Sequence, residues 1–505
     1  MRTSLSGVAC LFVSAFAGCA SAQNLPSLRA SELQADVAIL REAYENLHPG
    51  LYRYSSKAQM DAMFATLDRQ LDHDQTLQSA FLAFSEFAAK VRCGHTQANP
   101  FNQSKELISA LFKTQTRVPF YFVWLDGRMV VTEDFSAQHS FPAGTQIVSV
   151  NGVASQTILK KLMTVARADG ANDSKRIAQL AVTGDSEYET FDLYYPMYFP
   201  LRDTRFTFVV ARPGTHRQEH VTAEALTFEQ RIAPIKQRED ARKGGSSVLF
   251  ESKTVAGNAV YIKMPTWALY DSKWDWKTWL NEKVDSAAAA HASALILDVR
   301  GNEGGDDVGN EIIPHLIDEP MTLSPMRRLV RYRKVPDDLV PYLDTWDKSF
   351  RDWGASAVPL AEPWPTAPRE VNYWKLTKYD DDASGDVIRP AGQRFRGKVF
   401  VLIDATNSSA TFQFAQNIQN HHLGTLVGQT TGGSQRGING GAFFFLRLPH
   451  SGVELDLPLI GTFSPDPMPD AGIKPDLPVL PTASDIANRK DSALDAVLAQ
   501  LGSSR

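Results

Sequence analysis

The feature that most constrains the fold is an apolar strand that runs directly into a turn rich in hydroxyl side chains and then into a helix. Residues 398–403 (Lys-Val-Phe-Val-Leu-Ile) predict a buried strand, and the turn after them contains Ser408 and Ser409. One helical face is then predicted by the spacing of Thr411, Phe414, Ala415 and Ile418. The first N–H groups of such a helix have no partner and favour negative charge, so a nucleophilic serine and its oxyanion hole can be built here. The alternative is an ordinary helix cap, because Asn and Ser are also the commonest N-cap residues.

A second segment has the same strand–turn–helix pattern. Residues 294–299 (Ala-Leu-Ile-Leu-Asp-Val) predict a strand that leads into the turn 300–307, which contains Gly304 and Gly305. Glycine lets the backbone approach a ligand closely and turn its N–H groups outward. A helix is predicted after the turn by the spacing of Val308, Ile312 and Leu316. Phosphate binding is not indicated, since no G-x-G-x-x-G occurs and residues 428–434 lack the Lys of a P-loop.

Together these segments resemble the S41 family of serine peptidases, which includes the C-terminal processing proteases and the tricorn protease core. The matching stretches are 261–265, 295–305, 398–433 and the closing Gly-Ile-Lys-Pro-Asp at 472–476. The resemblance implies an α/β multidomain protein with a ClpP/crotonase-like ββα core, here at residues 245–485. It also implies a hydrolase that acts on a peptide or protein substrate without a cofactor.

The resemblance assigns the nucleophile to Ser409, with Ser408 as a cap or neighbour. The oxyanion hole would comprise the N–H of Ala410 and one N–H from the turn that contains Gly304 and Gly305. Preorganised donors of this kind contribute about 3–4 kcal/mol each in acyl transfer.

The general base departs from the Ser–Lys branch of the family. The position of the dyad Lys falls on Ser434, and no Lys occurs between Ser409 and Ile473. The segment 91–96 (Val-Arg-Cys-Gly-His-Thr) instead resembles the His-bearing motif of the tricorn-like branch. His95 is therefore the predicted base, since a histidine of ordinary pKa, about 6.5, suits proton transfer at neutral pH. The alternative is a structural His in a turn.

A third residue should orient the imidazole. Relatives carry a Glu before the closing motif, where this chain has none, so Asp470 is the nearest substitute and Asp466 the second choice. Cys93 raises the alternative of a Cys–His hydrolase, although a small buried side chain is its ordinary interpretation. No H-E-x-x-H or Cys-x-x-Cys spacing occurs, so no metal is predicted.

The N-terminus predicts export. Arg2 precedes the apolar run 8–17, and Ala20-Ser21-Ala22 offers a cleavage site, so residues 1–22 are predicted to be a signal peptide. The protein would then be periplasmic or secreted. The alternative is an outer-membrane lipoprotein anchored at Cys19, because residues 16–19 approximate a lipobox. After cleavage only Cys93 would remain, which excludes an intrachain disulfide.

The region 29–100 predicts three amphipathic helices. Ser31 opens a predicted capping box with Gln34. The helical stripes are Leu33, Val37, Leu40, Tyr44 and Leu47; Met60, Met63, Phe64, Leu67 and Leu71; and Leu77, Phe81, Phe84 and Ala88. These stripes are interpreted as core, not as ligand sites.

The region 112–235 is predicted to be a β-rich, PDZ-like domain with a helical insertion around 155–181. The PDZ resemblance is carried by Gly144, Ile147, Val150, Asn151 and Gly152. A linker is predicted at 242–247, and residues 486–505 are predicted to be a C-terminal helix and tail. Within the core, the segment 324–379 reads as a packed insertion. The alternative is an aromatic wall at the substrate entrance, formed by Trp346, Trp353, Trp364 and Trp374.

The composition excludes few other classes of function. Hydrophobic residues make up 43% of the chain and the net charge is −5, which gives no electrostatic case for nucleic acid. No run after the leader predicts a transmembrane segment, and the sequence does not indicate the oligomeric state. Two other classes of function stay open: a catalytically silent protein that binds peptides or hydrophobic ligands, and a non-peptidase ester or acyl hydrolase on the same core.

Overall fold

The structure, a computed structural model, describes residues 27–215, 217–243, 249–323, 326–379 and 387–502. The predicted signal peptide and Cys19 lie outside these ranges, as does most of the predicted linker. Among the described residues, no helix has the length and apolar character needed to cross a bilayer.

The N-terminal part is helical, as predicted. The three predicted stripes correspond to three helices. The first of these helices begins at Ala30, and its N-cap is Arg29 and not Ser31, so the capping box predicted at Ser31 was wrong. The elements of this part are β1 (Ser27–Leu28), α1 (Ala30–Leu47), α2 (Lys57–Gln70), β2 (Gln75–Thr76), α3 (Leu77–Lys90) and α4 (Lys105–Leu111).

The middle part is an antiparallel sheet with helices inserted between its strands. The sheet has the order β3-β4-β5-β7-β8, with β6 paired to β5. Its elements are β3 (Phe120–Leu125), β4 (Arg128–Asp134), β5 (Gln146–Val150), β6 (Val153–Ala154), α5 (Ser155–Leu162), α6 (Asp173–Gln179), α7 (Thr190–Tyr198), β7 (Arg205–Ala211), β8 (Gln218–Glu224) and α8 (Phe228–Lys243). The predicted β-rich region thus contains a sheet, and its inserted helices extend past the predicted end at 181 to Tyr198.

A mostly parallel sheet forms the centre of the remaining chain. Its order is β22-β19-β18-β11-β10-β9, and only β9 is antiparallel to its neighbour. The elements are β9 (Glu251–Val255), β10 (Ala259–Lys263), α9 (Trp276–Ala289), β11 (Ala294–Asp298), α10 (Gly309–Ile312) and, later in the chain, β18 (Lys398–Ile403), α11 (Ser409–Asn420), β19 (Thr425–Gly428), β22 (Leu477–Pro478), α12 (Ala483–Ala487) and α13 (Ser492–Gly502). Strands β11 and β18 pair side by side, so the two turns singled out in the sequence meet at one edge of the sheet.

A second six-stranded sheet, not predicted from the sequence, is antiparallel and has the order β14-β20-β21-β13-β16-β15. Most of it comes from the 324–379 insertion and a long hairpin. Its strands are β13 (Arg327–Val330), β14 (Leu343–Asp344), β15 (Ala357–Pro359), β16 (Trp374–Leu376), β20 (Asn439–Arg447) and β21 (Glu454–Phe463). A separate pair joins β12 (Met321–Thr322) to β17 (Val387–Ile388).

The largest hydrophobic core joins three parts of the chain. It contains side chains from the N-terminal helices, from the middle sheet and from β20 and β21. Two further clusters cover the two faces of the parallel sheet. Because the N-terminal helices share a core with the long hairpin, their loops are fixed above the edge where β11 and β18 end.

Candidate active site

The turn between β18 and α11 places Ser409 in a strained backbone conformation. Ser409 is the first residue of α11 and has a φ of +52°, in the left-handed region that side chains other than glycine rarely adopt. Buried Asn407 fixes the turn, since its amide donates to the carbonyl of Asn302 and its oxygen accepts from the N–H of Asp404. A serine on a strained strand-to-helix turn is the arrangement of a nucleophile elbow, which exposes the hydroxyl above the sheet.

The neighbouring Ser408 has a different role. It occupies the N-cap position, as predicted, but its side chain makes no capping hydrogen bond. Its hydroxyl donates to the carbonyl of Glu303 at 3.2 Å and accepts from Lys175 Nζ at 3.4 Å. Ser409, which is partly exposed, is therefore the less constrained hydroxyl of the two.

The glycine turn after β11 lies directly against this elbow. Gly304 has a φ of +99°, and a Cβ added to it would stand 2.8 Å from the Ala410 nitrogen and 2.9 Å from Ser409 Cβ. Only glycine allows this approach. The Gly304 N–H donates to Asn302 Oδ1 at 2.9 Å, which leaves the amides of Gly305 and Ala410 as the donors of the predicted oxyanion hole.

The loop with His95 follows α3 and is anchored from both sides. On one side, Asn439 of β20 donates to the Cys93 sulfur at 3.4 Å. On the other side, the Gly94 N–H donates to Asp169 at 2.9 Å, and its carbonyl accepts from Arg167. The His95 ring lies edge-on to Phe443, with ring centroids 5.6 Å apart.

Burial lowers the pKa of His95, and the nearby carboxylate of Asp169 offsets this only in part. The imidazole is therefore neutral at pH 7 and able to accept a proton. Its Nδ1 is buried without a hydrogen-bond partner, and within the described ranges no hydrogen bond joins the ring to Ser409 or to a carboxylate.

Asp470 does not contact His95 by a hydrogen bond. Its carboxylate accepts from the Ala171 N–H at 3.1 Å and from the Ser434 hydroxyl at 3.3 Å. The second choice, Asp466, is exposed. The acid nearest to the His95 loop is instead Asp169, which is 3% exposed.

Residues 167–179, a loop and α6 of the middle part, contact the His95 loop, Asp470 and the turns that contain Glu303 and Ser408. We call them the bridging segment. Asp169 and Arg167 hold the His95 loop, and Ala171 binds Asp470. Asn172 donates to the carbonyls of Thr431 and Gly433, both at 2.9 Å. The sequence gives no signal for this role, because a stretch of mixed charge resembles an ordinary solvated surface.

Lys175 connects the bridging segment to the turn that contains Ser409. It is 2% exposed, and its Nζ donates to the carbonyl of Thr406 at 2.6 Å and pairs with Glu303 at 3.0 Å. Burial lowers the pKa of Lys175, an effect that Glu303 counteracts. Although burial raises the pKa of Glu303, Lys175 and then Arg167 outweigh that effect and hold it far below the usual range. No Lys occurs between Ser409 and Ile473, and the lysine that reaches this turn comes instead from the middle part, where the sequence gives no signal for it.

Cys93 is unsuited to act as a nucleophile. It is 2% exposed, and burial raises the pKa of its thiol to about 11, so the reactive thiolate does not form at neutral pH. The Cys–His alternative was therefore wrong. Across the described ranges, no cluster of three or more His, Cys, Asp or Glu side chains is placed to hold a metal ion.

His48, which the sequence did not single out, supports the same loop. Its Nδ1 accepts from the Gly50 N–H at 3.0 Å, so its Nε2 carries the proton and donates to Thr96 Oγ1 at 2.8 Å. Burial lowers the pKa of His48 to about 3, which keeps this ring neutral.

The fold and this site define a hydrolase with a serine nucleophile on a strand-to-helix turn. Residues 258–479 match the model of peptidase family S41. Residues 258–479 therefore form a domain of the S41 family, and the protein is a serine-type peptidase. Comparison with curated protein sequences gives no significant match.

Solved structures show the same fold along nearly the whole chain. The structure of mature CPAF complexed with lactacystin superposes with a TM-score of 0.60 at 15% sequence identity, over 94% of this chain and 97% of that chain. The crystal structure of mature CPAF gives a TM-score of 0.57 at 15% identity, over 93% and 96% of the two chains. The shared fold therefore includes the N-terminal and middle parts as well as the peptidase domain.

Proposed function

We propose that the protein is an exported serine peptidase that cleaves peptide bonds through an acyl-enzyme on Ser409, with His95 as the general base. The observation that carries this proposal is the backbone of Ser409, whose φ of +52° is maintained against the close-packed Gly304 turn. Strain of this kind persists only where the surroundings enforce it, and it is typical of active sites. Export is supported by the signal-peptide pattern of residues 1–22.

In the first step, the Ser409 hydroxyl attacks the carbonyl carbon of the scissile bond while His95 takes its proton. The negative oxygen of the tetrahedral intermediate accepts from the amides of Gly305 and Ala410. Collapse of the intermediate breaks the C–N bond, and the leaving amine takes the proton from His95. Water then hydrolyses the ester on Ser409, with His95 again accepting and returning a proton.

The acid of the site is assigned differently from the sequence prediction. We place Asp169 as the charge that favours the imidazolium, because it is the nearest carboxylate to the His95 loop and raises the pKa of that ring. Asp470 then acts as a positioning residue, since it holds the Ala171 backbone of the bridging segment. The missing bond between His95 and Ser409 is consistent with catalytic hydrogen bonds that form only when substrate is bound.

Labelling with a fluorophosphonate tests the nucleophile and base together. Ser409→Ala should abolish labelling and hydrolysis of a peptide substrate, whereas Ser408→Ala should retain most of both. His95→Ala should slow labelling by about a thousandfold or more, because the serine loses its base. His73→Ala is the matched control, since that histidine is 69% exposed and its ring contacts only Asp72 and Gln75 among the hydrogen bonds of the described residues. Undiminished labelling in His95→Ala would refute the proposed base.

Lactacystin is a second probe, because mature CPAF has been solved in complex with it. A mass increase on Ser409 after incubation, absent from Ser409→Ala, would support the acyl-enzyme route. The unpartnered Nδ1 of His95 also favours one alternative, a silent member of the fold that binds peptide without cleaving it. Failure of both probes to modify correctly folded wild type would support that alternative.

A further inference from the structure

Three aromatic side chains form an exposed strip beside the candidate active site. Trp346 is 61% exposed, and its ring centroid lies 5.8 Å from that of Phe443 and 5.7 Å from that of Phe445. Phe443 and Phe445 are half-buried. We call Trp346, Phe443 and Phe445 the aromatic strip.

Core packing does not account for the strip. Along β20 the alternate residues Ala442, Phe444 and Leu446 are buried in the core, so Phe443 and Phe445 point to the opposite face. The outer face of an antiparallel sheet is ordinarily polar. A contiguous exposed apolar patch on such a face is typical of a binding surface.

The other tryptophans of the insertion have structural roles. Trp353 is 4% exposed, Trp364 donates its indole N–H to the Ser464 carbonyl at 2.9 Å, and Trp374 lies in β16. The predicted aromatic wall is therefore reduced to Trp346, which packs on buried Phe350 of the insertion and on Phe443 and Phe445 of β20.

The aromatic strip is continuous with the proposed base. Phe443 contacts His95 edge to face, and a bulge in the pairing of β20 falls between Gly440 and Phe443. A Cβ added to Gly440 would have only two atoms of the His95 ring within 4 Å, both at 3.7 Å. The space beside Gly440 is thus bordered only by the His95 ring, and an extended peptide could lie along this point of β20.

We propose that the aromatic strip is a substrate subsite that takes an aromatic or large aliphatic side chain of an extended peptide near the scissile bond. This inference rests on the proposed function, since it needs a peptide cleaved at Ser409 with His95 beside it. Rings on the substrate would pack edge to face or offset against Trp346 and Phe443, which favours them over small or charged side chains. Removing one such contact surface changes discrimination by about tenfold or more.

Quenched peptides that differ at one position, with Phe, Leu, Ala or Asp, test the subsite. For wild type, kcat/KM should be highest with Phe or Leu at one position near the scissile bond. Trp346→Ala and Phe443→Ala should each reduce the Phe-to-Ala ratio about tenfold, and Trp346→Tyr should restore most of it. The control is Phe101→Ala, because Phe101 is 62% exposed and packs against Tyr188, not against the strip. Melting temperatures would show that the variants fold.

The outcomes separate the subsite from the proposed function. An unchanged ratio in Trp346→Ala, with fluorophosphonate labelling at the wild-type rate, would refute the subsite and leave the nucleophile intact. If the wild-type protein is not labelled by the fluorophosphonate, the proposed function is refuted instead. If no peptide is cleaved, binding to Ser409→Ala is measured by tryptophan fluorescence, and tighter binding of the Phe peptide that disappears in Trp346→Ala would support the subsite.

A second copy of the chain is the competing occupant. Sedimentation of wild type and Trp346→Ala at several concentrations distinguishes it. A dimer that forms in wild type and is lost in Trp346→Ala would overturn the subsite and identify the strip as an interface.

Discussion

The two halves of the candidate active site are fixed by different kinds of interaction. The nucleophile half, residues 298–305 and 404–411, belongs to adjacent strands of one sheet, and its positions are set by backbone contacts such as that of Gly304 with Ala410. The base half, residues 93–96 and the bridging segment, comes from other parts of the chain. It is held by side-chain hydrogen bonds and ion pairs, among them Asp169 to Gly94 and Lys175 to Glu303.

This difference indicates that the nucleophile half of the site is rigid and that the base half can adjust. Backbone packing around Gly304 leaves no room for a side chain, so the nucleophile half should tolerate almost no change. The base half depends on charges and protonation states, so its function should vary with pH and with single charge changes in the middle part.

Gly304→Ala should have the largest effect. The added methyl would meet Ala410 and Ser408 backbone atoms at 2.8 Å, in addition to the strain of a φ of +99°. We expect fluorophosphonate labelling to slow by about a hundredfold or more, because the oxyanion donors would be displaced. Gly301→Ala is the control in the same turn: its φ is +81°, but nothing lies within 4 Å of the added atom. Equal losses in both variants would mean that strain, not close packing, governs this half.

His48 should make the base half sensitive to acid. The unfolded chain protonates this histidine at about 6.5, whereas the folded protein does so only at about 3, so lowering the pH through this window favours unfolding. The contribution is about 2 kcal/mol of stability lost between pH 6.5 and pH 5. His48→Gln removes the titration while keeping a donor toward Thr96, and the pH dependence of its unfolding free energy should be flatter by that amount. His73→Gln should behave as wild type, and an unchanged slope in His48→Gln would contradict the prediction.

Lys175→Met tests the link between the bridging segment and the nucleophile. Loss of the contacts to Thr406 and Glu303 should reduce kcat by about tenfold with little change in KM, because positioning of the turn is affected and not substrate contact. Lys161→Met is the control, since that lysine pairs with Glu86 in the same part of the chain but is 42% exposed. A loss in KM alone, or equal losses in both variants, would argue against a positioning role.

The smallest effect is expected in the pH dependence of kcat/KM. Because burial lowers the pKa of His95, the acid limb of kcat/KM should have its midpoint below 6.5. Asp169 partly offsets that shift, so Asp169→Asn should move the midpoint to still lower pH. Asp173 lies on the exposed side of α6, so Asp173→Asn should leave the midpoint of the acid limb unchanged. A midpoint at or above 6.5 in wild type would exclude His95 as the titrating base.

The nucleophile half was largely predictable from the sequence, and the contrast explains why. A strand, its turn and the helix after it are contiguous in sequence, so Ser409 and the Gly304 turn carry local signals. The helix after that turn was predicted too long, since α10 ends at Ile312 and a short 3₁₀ turn follows it. Val308, Ile312 and Leu316 are nevertheless buried together.

The base half could be predicted only where a motif existed. His95 was marked by its neighbours in sequence, but Asp169 and Lys175 reach the site only through the packing of the middle part. Asp470 was selected because of its position before the closing motif, and its hydrogen bonds go to Ala171 and Ser434 instead. Residues that are far apart in the sequence can be in contact without any local sequence pattern that would predict the contact. The second antiparallel sheet escaped prediction for the same reason.

The bridging segment also has a consequence for how such proteins can diverge. The stretch that matches the family model, residues 258–479, contains Ser409 but neither His95 nor Lys175. Recombination that exchanged both the N-terminal and the middle parts for an unrelated module would keep Ser409 but remove the proposed base and Lys175 together. Silent descendants could therefore arise in one step without any substitution at the nucleophile, and inheritance of Arg167, Asp169 and Lys175 as a set would distinguish the lineages that kept the reaction.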